Sequence, residues 1–256
     1  MGTKQRDTDS DWKLIAETQP FWGVLSQEEF RGNALDAEKL GRFMESGEQF
    51  IRNLFGLIRK HLVDQFAPKR ALDFGCGVGR LLIPLARRTQ EAVGVDIAPV
   101  MLDLCRKHAD EAGVKNIDLH VSDDHLSNVG GEFDLVNTHI VLQHIPPERG
   151  YRIIQAMIDK LAVGGVGSIQ VTYAKAMAYL AHEQSRALYY RRDGGTIVTL
   201  VESGWSPPEG TITMYDYDLN EVFALVSRCA GRPMITLPTS DDNHLGLHIV
   251  FVKARK

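Results

Sequence analysis

A short apolar stretch that ends near an acid and opens into a glycine-rich turn has the residue types best suited to chemistry. Residues 70–80 read RALDFGCGVGR, with Asp73 two positions before Gly75, followed by Gly77 and Gly79. Glycines at alternate positions let the backbone turn sharply and approach a bound molecule without an intervening Cβ. The segment therefore predicts a ligand-binding turn after a first strand, with a tight turn that holds no ligand as the alternative.

The carboxylate of Asp73 limits which ligand such a turn could hold. A dinucleotide would bring its pyrophosphate here and be repelled, whereas a ligand with an ammonium or a sulfonium group would be attracted. The third glycine of the dinucleotide pattern G-x-G-x-x-G would fall on position 80, which is Arg80. S-adenosylmethionine carries both cations, so we predict it as the cofactor. Nicotinamide-dependent hydride transfer is the weaker alternative.

A second acid ends the next apolar run, about 20 residues beyond the glycine turn. In EAVGVDIAP, Asp96 is expected at the tip of the adjacent parallel strand, where its carboxylate can accept hydrogen bonds from both ribose hydroxyls. It could also cap the helix that begins near Pro99, and the two roles are compatible. We predict that Ile97 or Met101 covers one face of the adenine.

Two histidines follow the predicted fourth strand, in the segment NTHIVLQHIPPE. Methyl transfer from a sulfonium is an in-line displacement, so the protein must mainly align the acceptor and exclude water. A hydroxyl or amine acceptor also needs a base, and histidine suits that task near neutral pH. We predict His144 as the base and His139 as a residue that touches the cofactor or holds the loop. The alternative for His144 is a bond to backbone groups in the turn.

Five ordered motifs make the chain similar to the class I S-adenosylmethionine-dependent methyltransferases. They lie within residues 68–173 and read LDFGCGVGR, VGVDIAPVML, VSDDHL, FDLVNTHIVLQHI and LAVGGVGSIQVTY. The resemblance implies that Asp123 faces the adenine amino group with Asp124 beside it; a plain solvated turn is the alternative for this pair. We include Cys76 in the predicted cofactor-binding turn, where a small side chain is needed for packing.

Apolar runs alternate with helical patterns as a parallel sheet requires. Strands are predicted near 70–74, 91–95, 117–121, 133–138 and 166–172, and helices near 79–88, 99–112 and 147–161. A long amphipathic helix precedes them, and Pro84 is expected to distort the first of the three slightly. The fold class is α/β, and the resemblance implies a Rossmann-like, doubly wound, seven-stranded sheet with helices on both faces and an antiparallel last strand.

We expect a single methyltransferase domain over residues 1–256. Its predicted parts are an N-terminal helical cap (1–66), a cofactor-binding core (68–173), an insertion after the fifth strand (174–215), and a closing helix with two strands (216–256). Within the insertion, 174–190 reads as a helix, and TIVTLVE and TITMYDY read as strands. Asp218 and Glu221 resemble a capping box.

Two segments are candidates to cover the site. The insertion is rich in aromatic residues, including Tyr179 and Trp205, and we predict that it covers the acceptor; a helical hairpin or a homodimer contact is the alternative. By resemblance, the N-terminal cap folds over the cofactor, with its methionine end lined or shielded by Phe21, Trp22, Phe43 and Gly47. Packing of an amphipathic helix explains Phe43 equally well.

The composition of the chain limits the classes of partner that we expect. A formal net charge of −4 gives no broad basic footprint, so we expect no nucleic acid. Three scattered cysteines are too few for a disulfide framework or a zinc ribbon, and the chain lacks an apolar signal core and a membrane-length apolar run. We expect a cytoplasmic protein without membrane contact.

We predict no metal site. His244 and His248 have i, i+4 spacing but fall in an apparent strand, where that spacing only puts both on one face. Methyl transfer should therefore be insensitive to a chelator.

The predicted function is methyl transfer from S-adenosylmethionine to a small-molecule hydroxyl, such as that of a sugar, a polyol or a phenol. Small-molecule or protein N-methylation is the alternative within the fold. A nicotinamide-dependent oxidoreductase and a non-catalytic nucleoside-binding partner are the alternatives from other classes.

Overall fold

The computed structural model describes residues 8–175, 189–193, 196–200, 212–241 and 244–255, and its centre is a seven-stranded sheet. The strands are β1 (Arg70–Phe74), β2 (Glu91–Asp96), β3 (Ile117–Val121), β4 (Phe133–Thr138), β5 (Leu161–Lys175), β6 (Tyr189–Asp193), β7 (Thr196–Leu200), β8 (Ile235–Asp241) and β9 (His244–Val252). The order across the sheet is β3-β2-β1-β4-β5-β9-β8, and β6 pairs with β7 separately. The predicted seven-stranded, doubly wound sheet is confirmed.

Strand direction determines where a ligand can bind. The strands from β3 to β5 are parallel, whereas β9 runs antiparallel to both β5 and β8, as expected for the last strand. The strand order reverses between β1 and β4, since β1 leads to β2 on one side and has β4 on the other. In open α/β sheets, ligands bind beyond the carboxyl ends of the strands at such a switch point.

The helices begin where the sequence supplies start signals. They are α1 (Thr8–Thr18), α2 (Pro20–Val24), α3 (Ala37–His61), α4 (Leu82–Ala86), α5 (Pro99–Glu111), α6 (Pro147–Lys160) and α7 (Leu219–Ser227). The side chain of Asp36 accepts a hydrogen bond from Lys39 N at the start of α3, and a proline opens both α5 and α6. Asp218 caps α7 by accepting from Asn220 N. None of the helices in the described residues is long and apolar enough to cross a membrane.

Helices cover both faces of the sheet. On one face, α6 and α7 bury side chains such as Ile153 and Val222 against the strands. On the other face, α3, α4 and α5 bury side chains such as Ile51, Leu85 and Cys105. The predicted N-terminal cap is also present, because α1 and α2 pack against α3 and the loops after β1 and β2. The strand ends are therefore held on a rigid, three-layered support.

The first helix after the glycine turn is shorter than predicted. Residues 79–81 stay outside α4, because Gly79 has a φ of +94°, which is incompatible with a right-handed helix. Pro84 is the third residue of α4, where the backbone N–H has no helical partner in any case. Pro84 therefore removes no hydrogen bond from α4, so the reason for the distortion that we predicted there is absent.

The insertion also differs from the prediction. Residues 189–190 belong to β6 rather than to a helix, and Ala174 and Lys175 extend β5. Residues 212–218 form no strand. Their backbone bonds to two different elements, with Tyr215 N donating to Gln143 O and Tyr217 N donating to Thr172 O. The rest of the predicted 174–190 helix, residues 176–188, and the aromatic residues Tyr179 and Trp205 lie outside the described residues.

Candidate functional site

A cavity of about 850 Å³ lies at the carboxyl ends of β1, β2 and β4, at the switch point of the sheet. Nine of the eleven predicted site residues line it: Gly75, Gly77, Asp96, Ile97, Met101, Asp123, Asp124, His139 and His144. Asp73 and Cys76 do not line it.

The glycine turn is tightly wedged between two other segments. Gly75 and Gly77 have φ values of +73° and +53°, and Gly75 N donates to Val95 O over 2.8 Å. A Cβ on Gly75 would lie 2.4 Å from Val141 Cγ2, and one on Gly77 would lie 2.8 Å from Val24 Cγ2. The turn therefore needs glycine both for its backbone conformation and for its close contacts.

Asp96 links the glycine turn to the start of α5. Its Oδ2 accepts from Gly77 N and its Oδ1 accepts from Ala98 N, both over 3.0 Å. The N-cap position of α5 is Ala98, so Asp96 does not cap the helix in the predicted way. Burial raises the pKa of Asp96 to about 6, against the lowering effect of the backbone N–H groups. The carboxylate is thus ionised at neutral pH and lies at the cavity wall.

Asp73 lies beneath the turn rather than in the cavity wall. It is 2% exposed, and its Oδ1 accepts from Asn137 Nδ2 over 2.8 Å. The orientation of the Asn137 amide is fixed in turn, since its Oδ1 accepts from Ser168 Oγ over 2.8 Å. Burial raises the pKa of Asp73 to about 7, while Asn137 and the charge of Arg80 act to lower it. Any effect of Asp73 on a ligand is therefore electrostatic and passes through the turn.

Cys76 is packed under the turn as well. It is 3% exposed and belongs to the cluster that contains Cys105 and Leu82. Its contact with Cys105 and its burial raise the pKa of the thiol well above the usual value. A buried, protonated thiol of this kind is unreactive.

An apolar wall faces the glycine turn. It consists of Ile97, Ala98 and Met101 together with residues of α1 and α2, namely Trp12, Gly23 and Val24. The four cap residues predicted to cover the cofactor lie outside this lining. Phe21 and Phe43 pack edge to face at 5.4 Å within the cap core. A Cβ on Gly47 would lie 1.9 Å from Arg80 O, so Gly47 permits close packing of α3 instead.

The two acids after β3 have different partners. The carboxylate of Asp123 accepts from the backbone N–H groups of His125 and Ser127. Burial acts to raise the pKa of Asp123, but these two bonds outweigh it and lower the pKa overall. Asp123 therefore stabilises its own turn and also lines the cavity.

Asp124 belongs to a cluster of ion pairs that joins α6 to the start of α1. Arg149 contacts Asp124 and Asp9, each over 2.8 Å, and Arg152 adds a contact of 3.2 Å to Asp124. Burial acts to raise the pKa of Asp124, but Arg149 and Arg152 outweigh it and lower the pKa. The cluster holds the start of α1 against the cavity.

Arg149 and Trp12 line the cavity but were not predicted as site residues. Trp12 carries no local signal, because α1 reaches the cavity only through the tertiary fold. Arg149 does carry one: it is a cation in the first turn of α6, where the helix dipole disfavours positive charge. Such a residue calls for an acidic partner, which Asp9 and Asp124 supply.

His144 is enclosed on several sides. Its Nδ1 lies 3.3 Å from Thr213 O, its Nε2 lies 3.5 Å from Gln143 Nε2, and its ring lies 4.7 Å from that of Trp12. Burial lowers the pKa of His144 to about 4, against the opposing effect of the Thr213 carbonyl. The imidazole is thus neutral at physiological pH.

His139 and Ile140 follow β4 directly and line the cavity. Ile140 has a φ of +59°, which is strained for a β-branched residue, and its N–H donates to Gln170 Oε1 over 3.0 Å. The ring of His139 lies 4.2 Å from that of Phe50 and 5.8 Å from that of His248. Burial is the main reason that the pKa of His139 lies well below its usual value, and the charges of His248 and Arg80 lower it further.

The two histidines of β9 do not form a metal site with other ligands in the part of the chain that the structure describes. No group of three His, Cys, Asp or Glu side chains there is arranged to hold a metal ion. His248 Nε2 instead lies 2.8 Å from Ser168 Oγ, at the end of the chain of bonds that begins at Asp73.

Part of the core matches a known family model. Residues 71–165 match a family model described as a methyltransferase domain. Over 101 residues, the chain is 37% identical to a ubiquinone biosynthesis O-methyltransferase of Ruegeria pomeroyi. The aligned residues make up 40% of this chain and 40% of that protein. A protein of the same description from Methylocella silvestris is 29% identical over 157 residues, 50% of this chain and 61% of that protein. The chain thus matches less than two thirds of the length of either relative.

Solved structures share the fold over most of the chain. Magnesium protoporphyrin IX methyltransferase from Synechocystis PCC 6803, with bound SAH, has a TM-score of 0.62 at 16% identity and covers 94% of this chain and 98% of its own. A SAM-bound amino pentose methyltransferase from Micromonospora echinaspora has a TM-score of 0.54 at 18% identity, covering 86% and 98%.

Proposed function

We propose that this protein transfers a methyl group from S-adenosylmethionine to a small molecule, because residues 71–165 match a methyltransferase-domain model and the chain shares the fold of solved methyltransferases. The observation that carries the proposal is the position of Asp96. Its carboxylate lines the cavity while bonded to Gly77 N, at the switch point of the sheet. An acid at the tip of β2 beside a glycine turn is suited to a ribose.

The residues present fit this cofactor. Asp96 would accept the ribose hydroxyls, and Ile97 with Met101 would cover the adenine. A Cβ on Gly75 or Gly77 would collide with Val141 or Val24, which line the same cavity, so a larger residue in the turn would displace the cavity wall. Asp73 would not touch the ligand, and in its ionised form it would add negative potential beneath the cationic end. Asp123 and Asp124, at the rim of the cavity, would adjoin the adenine.

Chemistry at this site needs alignment and exclusion of water more than it needs reactive side chains. The cofactor, when bound, supplies a methyl group already activated on a sulfonium. Trp12 and Val24 belong to the cap helices and line the cavity, so they would keep water from the acceptor and hold it in line.

We propose a hydroxyl as the acceptor, on a sugar, a polyol or a phenol. Two imidazoles, His139 and His144, line the cavity, and burial keeps both neutral, so each has one unprotonated ring nitrogen. His144 is the candidate base on sequence grounds. The curated relatives described above are named as O-methyltransferases, which supports oxygen over nitrogen. The net charge of −4 supports a small molecule rather than nucleic acid.

An acceptor screen tests this function. The purified protein would be incubated with methyl-labelled S-adenosylmethionine and panels of phenols, sugars, polyols and amines, with S-adenosylhomocysteine formation as a second readout. We expect label in a hydroxyl compound together with equimolar S-adenosylhomocysteine. Transfer to amines alone would replace the oxygen assignment, and cofactor binding without transfer to any compound would indicate a non-catalytic binding protein.

A further inference from the structure

His139 has unused hydrogen-bonding capacity at the cavity wall. Its Nδ1 is buried without a partner among the described residues, and no hydrogen bond joins either ring nitrogen to another residue there. His139 lines the cavity, and its Nε2, which is not among the buried unpaired atoms and has no partner in the described residues, is the ring nitrogen that a ligand can reach.

The surroundings of His139 keep its ring neutral and fixed. Phe50 packs on it at 4.2 Å with an angle of 32° between the ring planes. His248 lies 5.8 Å away and is itself held by Ser168. The positive charge of Arg80 opposes protonation of His139. A neutral imidazole always offers one unprotonated nitrogen as an acceptor.

His144 is occupied by comparison. Its Nδ1 is paired with the Thr213 carbonyl, and its Nε2 is near the Gln143 amide. Trp12 packs against its ring at 4.7 Å. Both nitrogens of His144 thus have protein partners, whereas neither nitrogen of His139 does within the described residues.

We propose that His139, rather than His144, receives the proton of the acceptor hydroxyl; this inference rests on the proposed function. As the acceptor oxygen forms its bond to the methyl carbon, the carbon–sulfur bond breaks and its electron pair stays on sulfur. The hydroxyl proton passes to the unprotonated nitrogen of His139 and later to water. His144 instead forms part of the wall that positions the acceptor against Trp12.

Two phenols of different acidity test this assignment. Turnover would be measured with 4-methylphenol and with the more acidic 4-nitrophenol for the wild type, His139→Asn and His144→Asn. We expect His139→Asn to lower kcat about 100-fold with 4-methylphenol. The loss with 4-nitrophenol should be at least tenfold smaller, because that hydroxyl is largely ionised before attack. His144→Asn should lower the rate less, and equally for both phenols.

Calorimetry with S-adenosylmethionine keeps the outcomes separate. We expect His139→Asn to bind the cofactor like the wild type, which also shows that it is folded; loss of binding would make His139 a cofactor contact and overturn the assignment. Equal losses with both phenols would also overturn it. If the wild type binds the cofactor but methylates neither phenol, phenols are not its acceptors. The assignment of His139 as the base for a phenol hydroxyl is then wrong as well.

Discussion

Side chains at the cavity are held mainly by backbone groups from neighbouring loops. Asp96 accepts from the N–H groups of Gly77 and Ala98, so one carboxylate fixes the spacing of the turns after β1 and β2. The same carboxylate is the group that we propose for the ribose. Its structural and ligand-binding roles are therefore linked at one residue.

Gly75→Ala tests the fit of the glycine turn. The new Cβ would meet Val141 Cγ2 at 2.4 Å on a backbone with φ of +73°. We expect a loss of more than about 2 kcal/mol in unfolding free energy, and affinity for S-adenosylmethionine at least about tenfold weaker. Urea denaturation and calorimetry measure the two effects.

Gly113→Ala is the matched control for that variant. Gly113 has a similar φ of +68°, but nothing lies within 4 Å of a Cβ there. It should lose about 1 kcal/mol of stability through backbone strain alone, with unchanged cofactor affinity. Equal cofactor affinity in Gly75→Ala and Gly113→Ala would refute the role given to the turn.

The buried His144 should make stability depend on pH. Its pKa is about 4 in the folded protein, against 6.5 in the unfolded chain. The contribution of the neutral His144 to the free energy of unfolding is therefore complete above pH 6.5. It falls as the pH drops toward 4, by about 3 kcal/mol in total. The raised pKa values of Asp73 and Asp96 act in the opposite direction, so wild type and His144→Asn must be compared.

The expected signature is a stability difference between wild type and His144→Asn that shrinks in favour of the variant as the pH falls from 6.5 to 4. Asp73 and Asp96 titrate in both proteins and cancel. Urea denaturation across this range provides the measurement. A difference that does not change with pH would mean that the imidazole is not buried in its neutral form.

Among the elements, α1 is tied to the core by charge as well as by apolar packing. Arg149 of α6 bonds to both Asp9 and Asp124 and is about one quarter exposed. In Arg149→Ala, the two carboxylates remain partly buried without their shared cation. We expect a loss of about 2 kcal/mol in unfolding free energy by urea denaturation.

Arg152→Ala is the control for the ion-pair cluster. Its side chain is 51% exposed and makes one contact of 3.2 Å with Asp124. Its removal should change stability by no more than about 0.5 kcal/mol. Equal effects of the two arginine variants would contradict the role assigned to Arg149.

The elements that the sequence predicted best are those with a strong local pattern. The buried strands and the long helix α3 show continuous apolar runs or helical periodicity, and their existence was predicted. Residues 212–218 alternate like a strand but lie across the strand ends, because their backbone bonds to β5 and to the turn at Gln143. Alternation reports which side chains are buried and cannot identify the backbone's partners.

The site was predictable for similar reasons. Residues of the strand-end turns, such as Gly75 and Asp96, follow from local motifs. Trp12 and Arg149 depend on contacts between segments more than 130 residues apart, which no local pattern encodes. Asp73 was identified as an important acid, but its burial beneath the turn depends on Asn137 from a neighbouring strand.

At the scale of the whole molecule, function depends on where the strand order reverses. The loops after β1, β2 and β4 meet at that point, and the cap helices α1 and α2 close it from one side. The fold alone is compatible with many chemistries. Among the residues at the switch point, Asp73 beneath the turn and Arg80 in place of a third glycine are those that we predict to favour S-adenosylmethionine over a dinucleotide.

Calorimetric titration with S-adenosylmethionine, S-adenosylhomocysteine and NAD tests the central claim most directly. We expect micromolar binding of the first two ligands and none of NAD. Asp96→Ala should weaken the binding at least about 100-fold, because two hydrogen bonds to a charged group are lost. Asp103→Ala, an exposed acid of α5, should bind like the wild type. Preference for NAD, or equal binding by Asp96→Ala, would contradict the account.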